Sequence, residues 1–369
     1  MTSPDTTPRT PASRTTLRVG IVGCGNIAGN HVTAFRSVPD VEVVACCDID
    51  AGRATAFASR HGVPVAVGDV AALLDRGVDV VAVCTPHPTH EAVVVAAAAS
   101  GVHVLCEKPI AIDLAAAGRM IAACEAAGVT FGVLFQRRFW PAAQRIRTAV
   151  DDGTLGTPFL GHAAVLLHRD TSYYTADPWR GRWDTDGGGA LTTQGVHYLD
   201  LLQWFMGECV EVHAVHATVA HPIEVEDTAV ATLRFASGGL GTVSASTAVP
   251  LGLGTRVLVT GPGGTAGLAE YPEGAEAVND VWAVPGTATV TSPFGDGLGA
   301  ERPLAQINAS LTPYHTLQIA EFVEAVRAGR EPAVTGREAT KSLAILTALY
   351  ASARSGRPEP VPSVQEVHS

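Results

Sequence analysis

The sequence predicts an α/β protein in two parts: a doubly wound, Rossmann-type parallel sheet, then an α/β domain built on a mainly antiparallel sheet. Three observations carry that expectation. A glycine-rich turn, Gly23-Cys24-Gly25-Asn26-Ile27-Ala28, directly follows an apolar run. Short apolar runs then alternate with helix-like stretches as far as residue 136, the pattern of βα units with right-handed crossovers. Beyond it the apolar runs lengthen and alternate with polar residues, as strands with one packed and one available face do. A chain of 369 residues has room for two domains. We read 1–16 as a disordered Thr/Pro/Ser-rich tail, 17–136 as a dinucleotide-binding domain and 137–369 as a second domain whose closing helices pack back on the first.

Composition narrows the function classes. With 47% hydrophobic and 17% charged residues the chain builds a core. A net charge of −11 argues against nucleic acid or an anionic membrane surface as a standing partner. The seven cysteines (24, 46, 47, 84, 106, 124, 209) lie mostly in apolar runs without metal-ligand spacing. They read as reduced thiols of a cytoplasmic protein. The most apolar run, Ala92–Ala99, is too short to span a bilayer.

In chain order, Leu17–Val22 reads as the first strand. After it Gly23 permits a tight turn and Gly25 lets a pyrophosphate approach the backbone. Asn26 and Ile27 carry the chain into a helix, and small Ala28 lets that helix pack closely. The helix start offers free N–H groups to phosphate. A second strand, Val41–Cys47, ends at Asp48, about 25 residues after Gly23. A carboxylate there can accept both ribose hydroxyls and repel a 2′-phosphate, which predicts NAD over NADP, with Arg53 further off. The competing reading makes Asp48 the cap of the next helix.

Helix Gly52–Arg60, strand Val63–Val67, helix Asp69–Asp75 and strand Val78–Cys84 continue the alternation. The loop Thr85-Pro86-His87-Pro88-Thr89-His90 opens helix Glu91–Ser100. Two prolines and no nearby third ligand argue against a metal at His87 and His90, so Thr85, Pro86 and His90 are expected to line the cofactor. Strand Val102–Leu105 runs into Glu107-Lys108-Pro109. A lysine just past the carboxyl end of a parallel strand sits where such sheets bind ligands, and Pro109 holds Lys108 extended. The simpler alternative is a surface lysine in a turn. Helix Asp113–Ala127, capped by Asp113, and strand Thr130–Phe135 complete the first part.

The second part starts with a helix from Gln136 to about Asp152, ended by Gly153 and Gly156. Strands follow at Pro158–His168, Val210–Val219, Ile223–Phe235, Leu240–Ala248 and Arg256–Thr260. A Gly/Ala/Pro-rich stretch, 262–300, offers edge strands at Val281–Val284 and Ala288–Thr291. Helices Tyr314–Ala328 and Gly336–Ala353 close the chain. Within residues 186–204, three glycines open a helix with Leu191, Leu199, Leu202 and Phe205 as its buried stripe. Thr193 and His197 stand one turn apart on one face, with Asp200 a turn further. A histidine there could take a hydroxyl proton while a lysine stabilises the alkoxide, the pair that hydride exchange between an alcohol and nicotinamide requires. A core histidine bonded to Asp200 or backbone is the competing reading.

Gly23–Ala28 with His31, Asp48, Glu107-Lys108-Pro109, Gly187–Asp200 and Thr316–Val334 together resemble the Gfo/Idh/MocA oxidoreductases. The resemblance implies a Rossmann domain followed by an α/β domain whose large open-faced sheet forms homodimers or homotetramers. It implies NAD(P)-linked oxidation or reduction of a ring hydroxyl in a sugar, sugar derivative or cyclic polyol. Lys108 matches the catalytic lysine and His197 the histidine acid/base; Glu107 falls in the cofactor-binding set. Thr193 departs from inositol-dehydrogenase-like members, which carry aspartate there. A threonine can position a hydroxyl but holds no compensating charge.

Substrate contacts are expected from Arg137, Tyr174, Trp179, Arg180 and His315 beside Lys108, Thr193 and His197, and no metal is required. Two rivals remain. An NAD-dependent glycosidase should show a His-Gly-x-Gly-Pro signature, which the sequence lacks. Against a non-enzymatic NAD- and sugar-binding regulator stands the presence of both Lys108 and His197.

Overall fold

The computed structural model describes residues 16–177, 179–286, 290–291 and 304–363. Residues 1–15 of the expected tail lie outside them. Strands β1 (Leu17–Val22), β2 (Val41–Cys47), β3 (Val65–Val67), β4 (Val80–Val83), β5 (His103–Cys106) and β6 (Phe131–Val133) form a parallel sheet in the order 3-2-1-4-5-6. Strand order reverses between β1 and β4, so the crevice beyond their carboxyl ends is the natural ligand site. Val22, Val81, Val83 and Val104 join one core cluster, and Val19, Ile21, Val80 and Ala82 join the other. Successive side chains alternate between two buried faces, which is why the interiors of β1, β2, β4 and β5 are apolar.

Helices α1 (Ala28–Arg36), α2 (Ala51–His61), α3 (Val70–Leu74), α4 (His90–Ala99) and α5 (Leu114–Ala127) connect the strands. Asp50, Asp69 and Asp113 cap α2, α3 and α5, each accepting the N–H three residues on. Asp50, not Asp48, therefore caps α2, and the capping alternative for Asp48 falls.

The chain continues through α6 (Pro141–Asp151), β7 (Leu160–Leu166), the short α7 (Thr171–Thr175) and α8 (Val196–Met206). Then come β8 (Cys209–Ala217), β9 (Thr228–Phe235), β10 (Leu240–Ser246), β11 (Gly254–Gly261), β12 (Gly264–Glu270), β13 (Val278–Ala283) and β14 (Val290–Thr291). Helices α9 (Leu304–Ala328) and α10 (Gly336–Ser355) and strand β15 (Glu359–Pro360) finish the described chain. The nine strands of the second sheet run in the order 14-13-12-11-7-10-9-8-15, and all neighbours are antiparallel except β7 and β10. Ala163, Val165, Leu233, Val243 and Val257 are buried in one core cluster with Leu199, Leu202 and Phe205 of α8. The opposite face leaves Val215, Val230 and Leu240 about half exposed.

Several boundaries differ from expectation for definable reasons. The strand expected from Ile223 starts only at Thr228, because Glu226 and Asp227 point their carboxylates at backbone N–H groups of neighbouring segments. Residues 136–139 form a 3-10 turn and Trp140 is extended, so α6 begins at Pro141, where a missing N–H does no harm. Helix α9 starts ten residues before Tyr314 and carries Pro313 within it. Of the edge strand expected at 288–291, residues 288 and 289 lie outside the described residues. Ile319, Phe322 and Val323 of α9 pack into the core beneath β1 and β4, and Gln318 bonds both Phe135 N–H and the Val133 carbonyl. No described helix is long and apolar enough to cross a membrane.

Candidate active site

The turn between β1 and α1 is shaped for close approach. Gly23 has φ +91°, and a Cβ there would lie 2.7 Å from the Cys84 backbone. Only glycine fits. No protein atom lies within 4 Å of the corresponding position at Gly25, so its exposed backbone faces open space, flanked by Asn26 and Ile27. No side chain caps α1, which leaves its first turn for phosphate oxygens. At the end of β2, Asp48 Oδ2 accepts from Cys24 N–H at 3.0 Å and Oδ1 from Asp50 N–H at 3.0 Å. The Arg53 guanidinium lies 3.6 Å from Asp48, nearer than its sequence position suggested. Beside Pro86, the Thr85 hydroxyl is buried without a hydrogen-bond partner. An open glycine, an uncapped helix start, a carboxylate at the ribose position and an orphaned hydroxyl fit a dinucleotide.

Two residues assigned to the cofactor from sequence are turned elsewhere. His90 is fully buried, and its ring nitrogens face the carbonyls of Thr85 at 2.9 Å and Ile110 at 3.1 Å. It braces the loop. Glu107 Oε1 meets His31 Nε2 at 2.8 Å and lies 3.8 Å from His315 Nε2. Burial alone would raise its pKa, but His31 and His315 together hold it well below the carboxylate range. His315, expected at the substrate, is buried in this cluster and bonds the Leu311 carbonyl through Nδ1 at 2.9 Å. Among the described residues these three alone bring potential metal ligands within 4.8 Å of one another. Their 2.8 Å contact is already a complete hydrogen bond.

Lys108 and His197 converge. Lys108 Nζ donates to the Thr193 carbonyl at 2.8 Å, one helical turn before His197. Burial chiefly lowers the lysine pKa to about 8; Arg137 and Arg180 push the same way, while Glu107 and Asp186 oppose them. Burial, then the Arg137 and Lys108 cations, hold His197 well below the ordinary histidine range. Its Nδ1 is buried without a partner, and Phe135 packs edge-on at 5.9 Å. The imidazole is therefore neutral and free to accept a proton near pH 7. Asp200 does not orient it: that carboxylate forms a buried two-pronged pair with Arg138, both contacts 2.7 Å.

Thr193 lies in a π-helical turn, Leu191–Gly195, rather than a regular α-turn. Such turns recur at functional sites. Its hydroxyl donates to the Gly189 carbonyl at 2.8 Å and also contacts the Gln194 amide oxygen, so the side chain is engaged within its own helix. Gly189 is forced: a Cβ there would lie 1.7 Å from the Glu226 carbonyl. The Glu226 carboxylate takes the N–H groups of Gly189 and Leu191, each at 2.9 Å, and the Tyr350 hydroxyl. Glu226 thus aims the helix that presents Thr193 and His197. No local signal in the sequence marks it, since it lies 37 residues from Gly189.

The remaining expected contacts form a wall. Arg137 sits 4.6 Å from the Tyr198 ring centroid and 5.2 Å from that of Trp140, with Glu270 at 3.4 Å. It is a fixed cation whose influence reaches both Lys108 and His197. Arg180 lies over Tyr173 and Trp179, at 4.3 and 4.4 Å, and pairs with Asp177. Tyr174 is buried with its hydroxyl on Thr247, while its ring shares a cleft with Arg180, Ile223 and Glu224. Asp186, just before the three glycines, is 1% exposed and was not singled out from sequence.

Comparison with known proteins gives the same picture. Residues 17–135 match the oxidoreductase family NAD-binding Rossmann fold, and residues 143–267 match the GFO/IDH/MocA C-terminal domain. The chain is 32% identical over 365 residues to a D-apiose dehydrogenase of Paraburkholderia graminis, covering 97% of this chain and 94% of that one. It is 29% identical over 333 residues to a myo-inositol 2-dehydrogenase of Thermotoga maritima, covering 89% and 93%. The crystal structure of the WlbA dehydrogenase from Bordetella pertussis in complex with NADH and UDP-GlcNAcA superposes with a TM-score of 0.84 at 32% identity, covering 95% of this chain and 99% of that one.

Proposed function

The chain belongs to the Gfo/Idh/MocA oxidoreductase family, and on that premise we propose that it is an NAD-dependent dehydrogenase of a ring hydroxyl in a sugar, sugar derivative or cyclic polyol. The observation that carries this reading is the Lys108 ammonium bonded one helical turn before His197, whose ring burial keeps neutral and whose Nδ1 has no partner. The relatives are dehydrogenases, which favours this reading over a redox-assisted glycosidase or a regulator.

Bound NAD supplies the hydride acceptor. Lys108, held by the Thr193 carbonyl, binds the reacting oxygen and stabilises it as its charge grows. His197, kept neutral by burial, takes the hydroxyl proton on its free ring nitrogen. The Arg137 cation fixes the field around both groups, with Arg180 adding to it at Lys108. In the reverse direction the same proton returns from His197. Asp48 favours NAD because a 2′-phosphate would face its carboxylate, although Arg53 at 3.6 Å softens that repulsion. The half-exposed Val215, Val230 and Leu240 support a homodimer or homotetramer formed through the outer face of the nine-stranded sheet. Seven free, buried cysteines support a cytoplasmic setting.

The test follows reduced-nicotinamide absorbance with NAD and NADP in parallel over D-apiose, inositols, free hexoses and UDP-linked uronic acids. NAD reduction by one carbohydrate class is expected. Folded protein that binds NADH yet reduces neither cofactor on any of them refutes the reading.

A further inference from the structure

The carboxylates around Lys108 are nearly all engaged. Glu107 is bound by His31, Asp200 by Arg138 and Ser342, Glu270 by Tyr198 and Arg137, and Glu273 by Arg169. Glu226 is filled by backbone and Tyr350. Thr193, one turn before His197, bonds the Gly189 carbonyl through its hydroxyl. Asp186 differs from all of these. It is 1% exposed. Its Oδ2 accepts the Gly181 N–H at 2.9 Å and its own N–H donates to the Arg182 carbonyl, so the side chain is fixed. Its Oδ1 is buried without any hydrogen-bond partner.

A buried carboxylate oxygen without a donor is unusual, because the missing bond costs more than an ordinary hydrogen bond contributes. Asp186 also stands in the right place. It lines one small cavity with Pro109, next to Lys108, and Thr192, next to the carbonyl that holds Lys108. The charges that act on it are the cations of Arg180 and Lys108. From the loop before α4, His87 Nδ1 lies 3.3 Å from the Asp186 carbonyl, and burial keeps that ring neutral. From α10, the Tyr350 hydroxyl is turned to Glu226 and Thr192. Burial raises the Asp186 pKa to about 6, with Gly181, Arg180 and Lys108 opposing, so the carboxyl is ionised near pH 7.

We propose that Asp186 is a substrate-binding carboxylate of the reaction site, whose Oδ1 accepts the hydroxyl adjacent to the one held by Lys108. The ligand class it selects is a ring bearing two neighbouring hydroxyls. This rests on the dehydrogenase reading for the identity of the first hydroxyl. It goes beyond that reading by placing a second hydroxyl and the carboxylate that receives it.

The test titrates the NADH-bound protein with cis- and trans-1,2-cyclohexanediol and with cyclohexanol. In the unaltered protein one diol binds about 30-fold more tightly than the mono-alcohol, the scale of a hydrogen bond to a charged group. That preference fades below pH 6 as Asp186 takes up a proton. Asp186→Ala removes the acceptor and abolishes the preference. Asp186→Asn keeps an oxygen for Gly181 N–H but turns an NH2 donor toward a site already rich in donors. It therefore loses the preference and its pH dependence while melting and NADH affinity stay near those of the unaltered protein. If Asp186→Ala does not fold, Asp186→Asn decides. Equal binding of diol and alcohol, no measurable diol binding, or a preference retained in Asp186→Asn overturns the proposal. Failure of the dehydrogenase reading shows separately, as absent NAD reduction by a protein that still prefers the diol.

Discussion

Lys108→Met should make the protein more stable and nearly inactive. Burial brings the ammonium from 10.5 to about 8, which corresponds to roughly 3 kcal/mol of penalty for holding it charged at neutral pH. Lys108 is only half-buried by surface area, so solvent screening reduces this to about 2 kcal/mol. Methionine removes that penalty, keeps the apolar stem and loses the 2.8 Å bond to the Thr193 carbonyl, worth about 1 kcal/mol. The net expectation is about 1 kcal/mol of stabilisation. Its pH signature follows from the depressed pKa. Between pH 8 and 10.5 the unfolded chain holds a proton that the folded chain has released, so unaltered protein gains stability as pH rises through that window. The advantage of the variant is therefore full at pH 7 and shrinks toward pH 10.5. Turnover falls about 100- to 1000-fold, as when a single donor to a developing oxyanion is removed, with NADH affinity nearly unchanged. Urea unfolding at pH 7 and pH 10, with turnover at pH 7, checks all three. A variant less stable than its parent at pH 7, an advantage independent of pH, or preserved turnover refutes the reasoning.

Asp48→Ala removes the carboxylate and leaves Arg53 without its 3.6 Å partner; kcat/KM should shift toward NADP at least tenfold, and an unchanged NAD-to-NADP ratio counts against Asp48 as selector. Asp200→Ala leaves the Arg138 guanidinium, 4% exposed, with the Glu338 carboxylate at 3.3 Å as its remaining partner and should cost about 3 kcal/mol by denaturant unfolding; a loss below 1 kcal/mol contradicts the pairing. Glu107→Gln takes away the first influence that raises the Lys108 pKa, so the alkaline limb of the kcat/KM profile, expected near pH 8, should move to lower pH. A limb that stays in place dissociates Glu107 from the lysine.

The first sheet was legible because its physics is local. The central strands β1, β4 and β5 are buried on both faces over most of their length, so they appear as apolar runs, and the aspartates at 50, 69 and 113 cap helices through contacts three residues long. Lys108 and His197 were legible for a different reason, since motif and spacing carry them. Strand β12, Gly264–Glu270, was hidden because its glycines and alanines have no β-branched signature, although Leu268 and Ala266 are fully buried. Extension of α9 back to Leu304 was obscured by Pro313. The reassigned residues share one cause. Whether His90, Glu107 or His315 faces a ligand depends on which distant group takes its polar atoms, and partners 5, 20, 76 and 208 positions away cannot be read from composition or period.

That dependence also explains why the proposed reaction site can be approached by asking which polar atoms the fold leaves over. Folding requires buried donors and acceptors to be matched, and here Glu226, Asp200, Glu107 and Arg138 each satisfy structural demands from distant segments. The atoms left unmatched include Thr85 Oγ1, His197 Nδ1 and Asp186 Oδ1. Thr85 lies 101 positions before Asp186, and His197 lies 11 after it, yet all three belong to loops or helix starts around Lys108. Other unmatched buried atoms, such as Gln203 Oε1 on α8 and Asp280 Oδ1 on β13, lie elsewhere in the second part of the chain. The three around Lys108 are the ones a site completed by its ligands accounts for, because each then gains its partner only when cofactor and substrate are present. The ligands should accordingly stabilise the protein beyond what either contributes alone. NADH and a diol added together should raise the unfolding midpoint by more than the sum of their separate effects, and strict additivity would show that these atoms answer to packing instead.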